Sequence, residues 1–193
     1  MTGGAMINVS DRDAVVAHTQ AWVESVVVKH NFCPFARREV ESQRLRYQVV
    51  EQPLPAVGLQ ALADECALLD REAGIETTLL VCPRGYEAFE DFLDLVDLAN
   101  QLLEQLGYEG VYQLAHFHPD YQFEGVDKAD ASNYTNRSPY PMLHLIREAS
   151  MAKALASYEA PEQIPERNVA LARSLGATAM QEALDACRRR RPG

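Results

Sequence analysis

The sequence predicts an α/β domain: a small, mostly parallel sheet of about three strands with helices packed against it, plus two C-terminal helices. Three observations lead there. Short apolar stretches at 44–51, 77–82 and 111–117 have the alternation or β-branched density of strands. Segments with helical periodicity at 59–72 and 87–106 separate them, and a strand–helix–strand order implies parallel strands joined by a crossover. Two helices are expected after the third strand, one from Pro141 to about Ser157 and a last one over roughly 165–188 with a break at Gly176.

At the N-terminal end, Ser10 is placed to cap a helix, and Asp13 favours the positive end of its dipole. Ala14, Val15, His18, Trp22, Val23, Val26 and Val27 recur at three- and four-residue spacing, so one face of that helix is buried. Pro34 ends or kinks it, which sets Cys33 at a break. Leu45, Tyr47 and Val49 share one face of the first strand. The second strand, continuously apolar and β-branched, reads as covered on both sides. In the third, Val111, Gln113 and Ala115 oppose Tyr112, Leu114 and His116. Gly74 and Gly107 stand where the two connecting helices should stop. On the second of these helices Glu90, Asp94, Asp97 and Glu104 form an acidic stripe, read as a solvated face opposite Phe89, Leu93, Val96, Leu103 and Leu106. From 119 to 140 periodicity dissolves, yet Tyr121, Phe123, Tyr134, Arg137 and Tyr140 make this stretch too aromatic for a flexible linker. Pro141 fits the first turn of a helix running to about Ser157.

A chain of 193 residues is the size of one domain, with 1–9 and 189–193 expected to be flexible ends. Eighteen Lys and Arg against 28 Asp and Glu give a formal charge of −10, which argues against nucleic acid or an anionic membrane as partner. Four scattered cysteines are too few for a disulfide framework or a zinc knuckle. No apolar run approaches the ~20 residues that span a bilayer. Residues 1–10 lack the order of a signal peptide, so a cytoplasmic location is expected. Nucleotide-binding glycine motifs, a nucleophile elbow and a His-Glu-x-x-His pair are absent from the sequence.

Chemistry is expected where the third strand gives way to the long loop, at His116-Phe117-His118-Pro119-Asp120-Tyr121. Alternation puts His116, His118 and Asp120 on one side. Two imidazoles and a carboxylate suit a divalent metal, the alternative being histidines hydrogen-bonded into a strand-end turn. Without a metal, His118 is the candidate acid or base, and Asp120 orients it. A second constellation is Asn133, Asn136, Arg137, Ser138 and Tyr140, leading into the helix expected at Pro141. A helix N-terminus attracts anions, and Arg137 would add a two-pronged contact to a phosphate or carboxylate. On that helix His144, Arg147 and Glu148 would share a face, with His144 and Arg147 lining the floor of the site beside Tyr121. Cys33, with Arg37 and Arg38 close in sequence, is a candidate nucleophile; the other reading is a small buried hydrophobe.

From about Ala14 to Met180 the chain resembles the bacterial domain of unknown function 1415 family. The likeness rests on Asn31-Phe32-Cys33-Pro34-Phe35, Thr77-Thr78-Leu79-Leu80-Val81, Phe117 through Phe123, Asn133 through Pro141, and Leu143-His144-Leu145. The family carries a small residue such as Ser where this chain has His116, a departure that favours His118 over a histidine pair. The resemblance implies no biochemical role.

These residues lead to an expected enzyme, a hydrolase or transferase of acyl or phosphoryl groups, acting on a small anionic metabolite. His118, Asp120 and Cys33 would do the chemistry, and the residues around Arg137 would hold the anion. The alternatives are a small-molecule-binding or regulatory protein without turnover, and a metal-dependent hydrolase using His118, Asp120 and a further His or Cys. Cofactor and oligomeric state are not legible in the sequence.

Overall fold

Thr77–Val81 (β2) is buried along its whole length, as its unbroken apolar run requires. In the computed structural model, which describes residues 9–192 and side chains from 11 to 192, the sheet is built outward from this strand. Val9–Trp22 (α1) leads into a π-helical turn, Val23–Val28, and a short helix, Ala36–Glu41 (α2). Leu45–Val49 (β1), Pro55–Arg71 (α3), β2, Phe89–Gln105 (α4) and Tyr112–Phe117 (β3) then alternate. A 3₁₀ turn at Ala131–Thr135 precedes Met142–Arg147 (β4) and Glu148–Ala156 (α5). Ile164–Leu175 (α6) and Ala177–Arg188 (α7) complete the chain, divided at Gly176 as the sequence suggests. The capping side chain of Ser10 and the ends 1–8 and 193 lie outside the described residues.

The sheet corrects the expectation. It has four strands in the order β1-β2-β4-β3, and only β1 and β2 form a parallel pair. β4 runs antiparallel to both neighbours, setting Leu79 opposite His144 and Ala115 opposite His144 on the other side. The expected helix from Pro141 is therefore half strand, and helix begins only at Glu148. Pro141 ends the loop, and its carbonyl accepts the Cys82 N–H at 2.8 Å. A six-residue apolar run does not fix its own period. What decides here is the backbone: β2 and β3 each have an unpaired edge, and a strand between them satisfies both sets of peptide groups.

Strand alternation splits the core in two. Leu80, Leu143 and Leu145 join Leu62, Cys66 and Leu69 of α3 and Phe92, Leu95 and Ala99 of α4 on one face. The acidic side of α4 is solvated as expected, but its fully buried residues are Phe92, Leu95 and Ala99, and Leu106 is exposed. On the opposite face, Val49, Leu79, Val81 and Met142 pack with Trp22 and Val26 and with Met180 and Leu184 of α7. α4 stops where Gly107 adopts φ +77°, with Gly107 N–H bonded to the Glu104 carbonyl and Tyr108 N–H to that of Leu103. A second glycine is fixed by space as well as angle. At Gly85 (φ +84°) a Cβ would lie 2.2 Å from Pro53 Cβ.

Candidate functional site

His118 leaves β3 into complete burial, 0% exposed, between the rings of Phe89 and Phe92. Its Nε2 lies 2.8 Å from the Tyr86 carbonyl, and its Nδ1 accepts the Asp120 N–H at 3.0 Å. A neutral ring protonated on Nε2 satisfies both contacts, and burial pulls its pKa below the ordinary histidine value. Both nitrogens are thus spent on the backbone, leaving no lone pair for a metal and no proton for a substrate. His116 lies against Phe92 and Tyr121, on the same side as expected, and its pKa is also lowered by burial. Asp120 is exposed and pairs with Lys128 at 3.4 Å. Among the described residues no three of His, Cys, Asp and Glu form a cluster able to hold a metal ion.

Arg137 is likewise 7% exposed. Its Nε donates to the Tyr121 carbonyl at 3.1 Å and its Nη2 to that of Lys128 at 2.8 Å, while the guanidinium lies 4.5 Å over the Tyr134 ring. Its own carbonyl accepts the Trp22 indole N–H. Asn133 works the same way, accepting Phe123 N–H and donating to the Asp127 carbonyl. Ser138 donates to the Tyr140 carbonyl, the Tyr140 hydroxyl meets His18, and Asn136 accepts the His118 N–H through its carbonyl. These residues do come together, but as an internal brace for the long loop. No helix starts at Pro141, so the helix N-terminus expected to attract an anion is not there, and Arg137 is committed to the loop's carbonyls.

β4 also separates the expected trio of His144, Arg147 and Glu148. In a strand, positions three apart face opposite ways. Arg147 turns to the α3 face and donates to the Leu69 carbonyl at 2.6 Å and that of Ile75 at 3.1 Å. His144 turns to the other face and lines a cavity of about 280 Å³. Leu45, Thr77, Leu79, Phe117 and Ile146 of the sheet form its floor, and Trp22, Val27, Cys33 and Phe35 its roof. Cys33 and His144, 111 positions apart in sequence, therefore face one cavity.

The roof exists because the first helix fails in steps. Its last turn is π-helical, with Phe32 N–H bonded to the Val27 carbonyl five residues back, and Asn31 then takes φ +55°. Cys33 follows, and burial raises its thiol pKa above the ordinary value against the opposing N–H groups of Phe35 and Ala36. Arg37 and Arg38, by contrast, are exposed. Across the cavity His144 Nε2 lies 2.7 Å from Thr77 Oγ1, whose single proton reaches the Leu145 carbonyl at 2.6 Å. That order puts the imidazole proton on Nε2 and leaves the Nδ1 lone pair uncommitted. Burial pushes the His144 pKa down to about 4, so the ring is neutral at pH 7.

Glu39 and Glu76 also line this cavity, and the sequence reading missed both. Arg44 bridges them: its Nη2 pairs with Glu76 Oε2 and its Nη1 lies 3.6 Å from Glu39 Oε2, while the exposed Arg38 Nε lies 3.8 Å from Glu39 Oε1. Glu39 Oε2 and Glu76 Oε1 are buried without a hydrogen-bond donor among the described residues. Neither stands in a motif; only the fold assembles them around Arg44.

A second cavity, about 520 Å³, lies beyond Cys33 between the long loop and α6. A third concavity at the β1 edge holds Arg46 and Glu65, already paired at 2.8 Å.

A family model described as a protein of unknown function (DUF1415) matches residues 14–182. The chain belongs to that family. No curated protein and no solved structure matches it. In this member of DUF1415 the matched span contains every residue lining the two cavities that meet at Cys33, together with the His118 and Arg137 braces. No helix among the described residues is long and apolar enough to cross a membrane.

Proposed function

We propose that this protein binds a small, largely apolar molecule whose head group is neutral or cationic and donates hydrogen bonds, in the cavity shared by Cys33 and His144. One observation carries the reading: an apolar cavity of about 280 Å³ is lined by two glutamates that each have a buried carboxylate oxygen with no hydrogen-bond donor among the described residues. Pockets that bury a small ligand are mostly apolar, with a few polar groups fixing its orientation. A ligand N–H placed against Glu76 Oε1 would supply the missing donor, and the ionic side chains lining the cavity, Glu39 and Glu76, are both acidic, their partners Arg44 and Arg38 lying outside the lining. The same charge opposes an anionic ligand.

Calorimetry with hexylamine and phenethylamine, against hexanoate and phenylacetate, tests the reading. The amines should bind saturably and Glu76→Gln should weaken them about tenfold. Carboxylates binding as well as amines, or no binding of either, overturns it.

Cys33 and His144 on one cavity favour a second reading, acyl transfer. The His144 Nδ1 lone pair would take the thiol proton, the sulfur would attack an acyl carbonyl and expel its leaving group, and water would then release the acid. Mass spectrometry after exposure to a p-nitrophenyl ester should show one acyl adduct on Cys33, lost in Cys33→Ser and slowed in His144→Gln. An unmodified Cys33 removes this reading and leaves the binding one intact.

A further inference from the structure

The long loop is a heavily braced irregular segment, and the side chains that brace it do not line the first cavity. His118, Asn133 and Arg137 all spend buried polar groups on its backbone. Asp130 adds a bond to Ser132 N–H and a two-pronged pair with Arg173 of α6. What they hold still is one wall of the second cavity. Phe123, Val126, Ser132 and Asn136 come from the loop, and Ile164 and Val169 of α6 face them. At about 520 Å³ the space falls within the usual range for a small-molecule site.

One polar group in that wall is unfinished. Ser132 is 1% exposed, its N–H is held by Asp130 and its carbonyl by Thr135, yet its hydroxyl has no partner among the described residues. Buried hydroxyls are nearly always bonded, so this one points to a missing acceptor or donor. The charge inventory narrows what supplies it. Among the described residues Arg173 is the one ionic side chain lining the cavity, and its guanidinium is already bound by both Asp130 oxygens. The remaining polar lining is hydroxyl, carboxamide and thiol.

We propose that this cavity is a second small-molecule site, for an uncharged molecule with an apolar body and one amide or hydroxyl group bonded to Ser132. It is distinct from the amine-accepting cavity and shares with it only a partition of Val27, Cys33 and Phe117. The proposal does not depend on the first cavity's ligand, since different residues and a different charge state define it.

Methyl NMR separates the two. Acetanilide and benzyl alcohol serve as neutral probes, benzoate and benzylamine as charged controls. The neutral probes should shift the methyls of Val126, Ile164 and Val169 saturably and leave those of Leu45, Leu79 and Ile146 in place. Ser132→Ala should weaken the neutral probes about five- to tenfold, the worth of one buried hydrogen bond. Val169→Phe, which fills the space without touching Ser132, should abolish the shifts. No saturable shift at the methyls of those three residues, equal binding of the charged controls there, or an unchanged affinity in Ser132→Ala overturns the proposal. Failure of the amine reading would register at the other methyl set.

Discussion

His144→Gln isolates the energetic signature of the first cavity. The imidazole titrates at about 4 in the folded chain because burial disfavours its charged form, against an ordinary value of 6.5. Between those two pH values the unfolded chain binds a proton that the folded chain refuses. Stability must therefore fall as pH drops below 6.5, by about 1.4 kcal/mol per pH unit while the difference is one full proton. Integrated, the loss is about 2 kcal/mol at pH 5 and about 3 kcal/mol at pH 4. Against a typical total of about 5–15 kcal/mol this is large enough to measure. Gln keeps an N–H donor toward Thr77 Oγ1 and does not titrate. Urea unfolding of both chains at pH 8, 6.5, 5 and 4 should give a stability difference that is flat above pH 7 and turns against the wild type below 6.5. Two parallel pH curves would refute the assignment of His144 as a buried neutral imidazole.

Three other perturbations read the scaffold around the site. Arg137→Met strands the Tyr121 and Lys128 carbonyls and should cost about 2–4 kcal/mol in chemical denaturation, with amide exchange rising across 119–136. Gly85→Ala drives a methyl into Pro53 at positive φ and should cost about 2 kcal/mol or more, seen as a lower Tm. Ser132→Ala removes a hydroxyl that has no protein partner and should raise stability by about 1 kcal/mol in ligand-free protein.

The elements legible in the sequence are those whose signal is local. The buried face through Val15, Trp22, Val23 and Val26, the doubly covered run at β2, the stop at Gly107 and the break before Pro34 all follow from spacing or from a single residue's backbone preference. The sheet order was not local. Met142 to Arg147 mixes four apolar residues with His144 and Arg147, which suits a half-buried helix as well as a strand, and Pro141 before it is an equally good strand entry; only the open edges of β2 and β3 decide. That one misassigned period displaced the site. Read with period two, the same six residues send His144 to one face and Arg147 to the other, and the anion cradle disappears. His118 and Arg137 stood out because such residue types in a loop suggest chemistry, yet here they supply the backbone's missing partners. Cys33 and His144 were both recognised as candidates, but their meeting across a cavity depends on the fold. The two glutamates around Arg44 carry no sequence signal at all.

The late position of β4 in the chain has a consequence for assembly. β3 borders no other strand, so everything up to residue 141 can form the β1–α3–β2 unit and α4 but leaves β3 without a partner. Hydrogen bonding across the middle of the sheet waits for a segment that emerges from the ribosome 25 residues after β3 is finished. Closure is therefore a single insertion that mends two open strand edges at once, and the cavity lined by His144 and Ile146 comes into being only when it is done. A nascent chain halted before residue 142 would present those edges to its neighbours, the condition under which unpaired strands aggregate.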